Sequence, residues 1–513
     1  MLNNIRLIDM RKIGKSFFIL YSLVLSSLII DVQATETLEG NRNNSEKISQ
    51  SNLLKFKEQL IVHEEQINPN IIEKLKNLKR RKNNQKIGLY DLEDIIKSNS
   101  DDLKVMSSRI EEARFLLKSE ISAWYPDLNL SSTGFPQYLN GNTSNQLSTN
   151  TSSNQTKASL KATLKWDLIN PSRVSQIAAA RDEFENSRIA YSIKYLDLLL
   201  EARSQFFKLQ QSLQDIRIAK DSLKTSTISL KEASIKLKSG LGSKFDLLEA
   251  RTQLSKDKQL LIEKLGTRKI NEKKFSKILN LESHIIPVVD SMPKIIGLWE
   301  ASLEESINSG YEYREEIDQL LIQISIKNNQ AKQALGSSKP TVSIYNTIDS
   351  SIAEGEIAVA SPRGNNSINN FTTTVGLQFQ WQLFDGGSSK AKYNAKKEKV
   401  KEIEAQLALK KAEIKNEIEE IFIKMNVTKQ NIQNSYDAIQ SAKESLRLSL
   451  LRLQAGIATQ REVFNNQKDL TQAEVNHIKA ITEYNENIIS LQRRTGINEF
   501  KKCSIKEQLD DSL

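Results

Sequence analysis

The side chains able to carry chemistry are few and far apart. His63, His284 and His477 have no metal-ligand spacing, and Cys503, the only cysteine, sits in a polar tail with no base beside it. One cysteine also excludes an intrachain disulfide and a zinc cluster of several cysteines. Gly14-Lys15-Ser16 has the end of a phosphate loop, but position 9 holds Asp where that motif needs glycine. No catalytic residue, metal or cofactor is therefore expected, and the chain does not read as an enzyme. Two carboxylates do occupy matched positions. Ser243-x-x-Asp246 and Thr459-x-x-Glu462 follow Gly240 and Gly456, and each fits a capping box, in which hydroxyl and carboxyl satisfy free N–H groups at a helix start.

Those two places end a pattern that occurs twice. Leu209, Ile216, Leu223, Leu230 and Leu237 recur every seven residues, with Ser212, Ala219, Ser226, Ala233 and Gly240 in a second column. The columns return as Met425, Ile432, Ile439, Leu446, Leu453 and Thr428, Ser435, Ala442, Ser449, Gly456. One bulky and one small residue per heptad predicts a long helix with a coiled-coil seam that lets a neighbouring backbone approach. Both copies break at the glycine and resume helical spacing, so each is a helical hairpin with a tip, at about 239–243 and 455–459. The long helices, roughly 171–239 and 388–455, span about 100 Å, and the return helices, 243–279 and 459–494, about 55 Å. Two shorter helices must therefore stack end to end beside each long one, and segments 91–123 and 298–335 have suitable lengths.

Between helices the period changes to two. Strands are expected at about 126–132 and 157–169 in the first half and 340–349 and 371–384 in the second. Leu160, Leu164 and Trp166 alternate with Lys157, Lys161 and Lys165, and Leu377, Phe379 and Trp381 with Gln378, Gln380 and Gln382. One apolar and one wet face, with rim aromatics at Trp124, Tyr125, Trp166, Phe371, Trp381 and Phe384, suits a membrane β-barrel. The alternative is two amphipathic hairpins packed on a soluble core. Each strand pair turns sharply into its long helix. Asn170 is placed to cap with Pro171 at the first helical position, and Asp385 to cap with Gly386-Gly387 supplying the turn.

The rest of the chain frames this unit. Residues 1–34 read as an export signal: Arg11, Lys12 and Lys15 precede an apolar run, and Val32-Gln33-Ala34 offers a cleavage site. Residues 35–88 have no sustained apolar face and read as a low-order extension. Residues 89–282 and 298–497 are the repeats, 283–297 the connection between them and 498–513 a tail. The 73 basic and 63 acidic residues interleave along helices, so the net charge of +10 describes a solvated surface, with no nucleic-acid partner expected.

The whole pattern resembles the outer-membrane efflux (TolC) family over about residues 89–497, most specifically in the duplicated W-x-L-[FI]-[DN] turn at Trp166–Asn170 and Trp381–Asp385 and in the duplicated glycine tip. The resemblance implies a mainly α fold with a membrane β-barrel. Four strands per protomer would make a trimeric 12-stranded barrel, continued by an α-helical periplasmic tunnel. It implies a homotrimer in outer-membrane lipid that meets a periplasmic adaptor and an inner-membrane pump. Its function would be a passive exit duct for efflux or type I secretion. The lysines and glutamines would line the lumen, where the lysines either favour anions or simply belong to a wet face. At the tips the matching constriction positions are Asp246, Glu249, Glu462 and Asn465. The best-known members place a tyrosine and an arginine around the second tip, where this chain has Leu453 and Ala458, and Asn465 replaces a second acid. The competing reading is an exported coiled-coil envelope scaffold with no pore.

Overall fold

A computed structural model of the chain describes residues 83–145, 148–290, 292–356 and 366–497. The expected export segment, the expected extension as far as residue 82, His63, Cys503 and the tail lie outside the described residues.

The order of elements is β1 (Asn83–Lys86), α1 (Leu92–Asn99), α2 (Asp101–Ile121), β2 (Asp127–Asn145), β3 (Ser148–Ile169), α3 (Arg173–Lys238) and α4 (Lys244–Ile278). The second half follows as β4 (Ile285–Val288), α5 (Leu303–Tyr313), α6 (Glu315–Gly336), β5 (Thr341–Glu356), β6 (Asn366–Gln380), α7 (Ser388–Gln454) and α8 (Gln460–Thr495). Residues 83–88, expected to belong to the low-order extension, are ordered: Asn83–Lys86 pairs in parallel with Ile285–Val288 and Ile87 is a core residue. A polar four-residue strand held by distant backbone partners has no local signature.

Each flanking helix expected as one piece is two. Ser100 (ψ 119°) and Arg314 (ψ 116°) are single extended residues that separate α1 from α2 and α5 from α6. Ser100 also caps α2 by accepting the Leu103 N–H at 3.3 Å. The helices pack in the order α2, α3, α6, α7, with α4 and α8 returning along the long pair.

The heptad seam is explained by its hydroxyls. Ser212, Ser226, Thr428, Ser435 and Ser449 each donate to the carbonyl three residues earlier, which belongs to Leu209, Leu223, Met425, Ile432 and Leu446. A hydroxyl satisfied on its own helix leaves a flat surface with no unpaired polar group, so a neighbouring helix can close on it. The core is a girdle near mid-length. Leu198, Phe206 and Phe207 of α3 meet Phe275 and Leu279, while Ile414 and Ile418 of α7 meet Tyr484 and Ile488.

The four long strands make one antiparallel sheet in the order β2-β3-β5-β6, with β2 and β6 as its edges. The first pair is far longer than the apolar alternation, reaching through the Asn/Ser/Thr-rich stretch, because backbone pairing does not require an apolar face. β6 ends at Gln380, short of the expected 384. Its partner there is Thr341, preceded by Pro340, which has no N–H to continue the ladder.

Candidate functional site

Residues directly opposite in an antiparallel ladder share a face, so the register assigns every strand position. One face carries the rows Leu130–Ala162–Ile348–Thr373 and Leu128–Leu164–Asn346–Val375. The other carries Asp127–Lys165–Tyr345–Gly376, Ser131–Lys161–Asp349–Thr372 and Gln137–Lys157–Ala353–Ile368. Lys157, Lys161 and Lys165 therefore share the wet face with Gln378 and Gln380, whereas Gln382 lies beyond the strand. The lysines are not a bare cationic stripe. Lys161 faces Asp349, and Lys165 faces Asp127 while lying 3.7 Å from Asp167. Carboxylates thus stand beside Lys161 and Lys165, while Lys157 faces Gln137 and Ala353.

The strand-to-helix joints are duplicated in their bonds as well as their sequence. Trp166 donates its indole N–H to the Trp124 carbonyl at 2.9 Å, and Trp381 donates to the Ser338 carbonyl at 3.2 Å. Asn170 does not cap the helix as expected: it accepts the Ser172 N–H at 3.1 Å in a turn around Pro171, and α3 begins only at Arg173, so Pro171 precedes the helix instead of opening it. Asp385 accepts from Gly387 at 2.9 Å and Ser389 at 2.8 Å, with Gly386 and Gly387 at φ 66° and 84°. Four amide and hydroxyl donors from Ser389, Gly387 and Ser388 hold the Asp385 carboxyl below its ordinary range. The first joint carries a residue that sequence reasoning passed over. Buried Arg173 donates to the Asp167 carbonyl and stacks on the Trp124 ring at 4.4 Å.

At the tips both helices end the same way. Gly240 (φ 75°) and Gly456 (φ 78°) are left-handed, and the N–H groups of Leu241 and Ile457 reach back to Lys236 and Arg452 at 2.8 and 2.9 Å. This closing pattern satisfies carbonyls that the helix end would otherwise leave free. Asp246 makes the expected capping box: its N–H donates to Ser243 Oγ at 3.1 Å and its carboxylate accepts the Ser243 N–H at 3.2 Å. Glu462 makes only half of one. Thr459 accepts its N–H at 3.3 Å, but its carboxylate turns to Arg452 at 3.2 Å. A charge-assisted bond outcompetes a neutral backbone donor. Glu249 binds Arg461 at 2.9 Å, tying the two hairpins together, and Arg461 lies 5.8 Å from the Phe245 ring centre. Asn465 is exposed and joins neither pair. Arg452 and Arg461 were legible only as basic residues flanking the second tip; their partners come from folding.

The family model for outer membrane efflux proteins matches residues 92–281 and 317–496, which is well over half of the chain and both repeats. The chain belongs to the outer membrane efflux protein family. This efflux-family chain is thus an outer-membrane protein with a periplasmic extension, in a family of transport channels. Its fold is also that of solved channels. The Campylobacter jejuni CmeC outer membrane channel superposes with a TM-score of 0.66 at 16% identity, over 82% of this chain and 88% of that one. VceC of Vibrio cholerae gives 0.64 at 14%, over 80% and 96%. The open state of Neisseria gonorrhoeae MtrE gives 0.59 at 15%, over 80% and 88%. No curated protein sequence matches the chain.

Proposed function

We propose that three copies of this chain form the exit duct of a tripartite efflux or type I secretion system. The duct passively conducts cargo from periplasm or pump to the exterior. The observation that carries this reading is the sheet with one apolar face, one wet face and two bare edges. In lipid each unsatisfied edge group costs several kcal/mol, and the smallest membrane barrels have eight strands. Four strands therefore do not suffice, and three sheets joined edge to edge close twelve.

The apolar rows then meet outer-membrane lipid, with Trp124, Trp166 and Trp381 at its boundary. Lys157, Lys161, Lys165, Gln378 and Gln380 line water, with Gln382 at the mouth. Asp246, Glu249 and Glu462 form the periplasmic constriction, each in a ring of three. A periplasmic adaptor docks at the tips, and an inner-membrane pump supplies the energy. The test is reconstitution of the purified mature chain into planar bilayers. A heat-stable trimer with discrete conductance steps is expected. A soluble monomer, or a trimer that passes no current, defeats the proposal and favours a scaffold.

A further inference from the structure

The second half contains a buried ionic knot. Arg314, its side chain 1% exposed, binds Glu316 at 3.1 Å and Glu417 of α7 at 2.7 Å. Arg493, at 3%, binds Glu316 at 2.7 Å and reaches Asp197 of α3 at 2.9 Å. Arg494 adds a contact to Glu417 at 3.3 Å. A carboxylate from the long helix of one half thus completes a cluster belonging to the other half.

Because the chain is duplicated, each member has a counterpart. Ser100 and Arg314 are the equivalent helix-breaking residues. Counting equal steps from the tip glycines along unbroken helices, Glu201 stands where Glu417 does, and Lys277 where Arg493 does. Phe275 and Leu491 coincide in the same count and both are 0% exposed, so the register holds to the far end of the return helices. Yet the first half has no knot. Ser100 supplies no guanidinium, and an open cavity of about 740 Å³ lies there, lined by Ser100, Asp101, Asp102, Glu201, Lys277 and Asn280 among others. Lys277 is exposed, and among the described residues no carboxylate lies within ion-pair distance of it.

The missing group is the counterpart of Asp197. On α7 that position is Glu413, which is exposed and meets Lys410 one turn away at 2.9 Å. α7 is also the last helix in the row α2, α3, α6, α7: among the described residues it packs on α5, α6 and α8 of its own half and makes no comparable contact with α2, α3 or α4. We propose that Glu413 of one subunit closes the first-half cavity of the next by pairing with its Lys277. The Arg493–Asp197 contact within one chain would then be repeated between chains. The inference rests on the trimeric reading above, and it assigns a site that is incomplete until a second copy docks.

Charge reversal tests it. An exposed pair gives about a twofold effect per interface, and so about eightfold over three interfaces. Lys277→Glu and Glu413→Lys should each lower the trimer association constant, read by sizing over a dilution series in detergent, by about that factor, and the double reversal should restore it. In parallel, Lys277→Cys with Glu413→Cys in a Cys503→Ser chain should give inter-subunit adducts with a short bismaleimide. If a trimer confirmed by sizing forms no adduct and the two reversals simply add, the pairing is wrong while the trimer stands. If the wild-type chain is never trimeric, both readings fall together.

Discussion

Arg461→Gln isolates the bond that ties the two hairpins at the tip. Arg461 makes a 2.9 Å ion pair with Glu249 and lies 5.8 Å from the Phe245 ring. The arginine side chain is 64% exposed, so the pair is a solvent-screened one worth about 0.5 kcal/mol. An exposed cation–π contact adds about 0.5 kcal/mol. Three subunits bring the total to about 3 kcal/mol, or roughly a hundredfold in the equilibrium between joined and parted tips. Single-channel recording in planar bilayers reads this directly. The variant should spend far more time in the higher-conductance level than wild type, and Arg461→Lys should fall between them. Raising salt should move wild type toward the variant, since the Debye length shrinks from about 10 Å at 0.1 M to about 3 Å at 1 M. Identical conductance histograms for Arg461→Gln and wild type at low salt would show that the pair holds nothing shut.

Three other perturbations reach the rest of the molecule. Arg314→Met should cost about 2–3 kcal/mol by thermal denaturation, less than the usual loss for a broken buried pair because Glu316 and Glu417 keep Arg493 and Arg494. Burial pushes the Glu316 carboxyl up, but Arg314 and Arg493 outweigh it and hold it below its ordinary value of 4.5. The contribution is therefore full above about that pH and fades as pH falls through the folded value, so the gap between wild type and variant should narrow in acid. Gly336→Ala should loosen the joint of α3 and α6, because a Cβ would stand 2.8 Å from the Ser172 Cα; a melting temperature equal to wild type would contradict this. Lys161→Gln leaves Asp349 uncompensated on the wet face, so reversal potentials in a salt gradient should shift toward cation selectivity.

The two halves, their hairpins and the strand faces were legible in the sequence because each rests on a local period. Heptads at Leu209 and Met425 and alternation at Leu160 and Leu377 record burial on one side of a regular element, and the tip glycines mark where a left-handed residue is needed. The joints were legible for the same reason, since Asn170 and Asp385 bond to amides within four residues. Tertiary structure alone decided the ionic partners. Glu462 turned to Arg452, Glu249 crossed to the other hairpin for Arg461, and Asp349 came to lie opposite Lys161. It also decided that Asn83–Lys86 is a strand and that Arg314 both breaks a helix pair and anchors a knot. A charge chooses its partner by distance in space, and sequence position carries no information about that distance until the chain has packed.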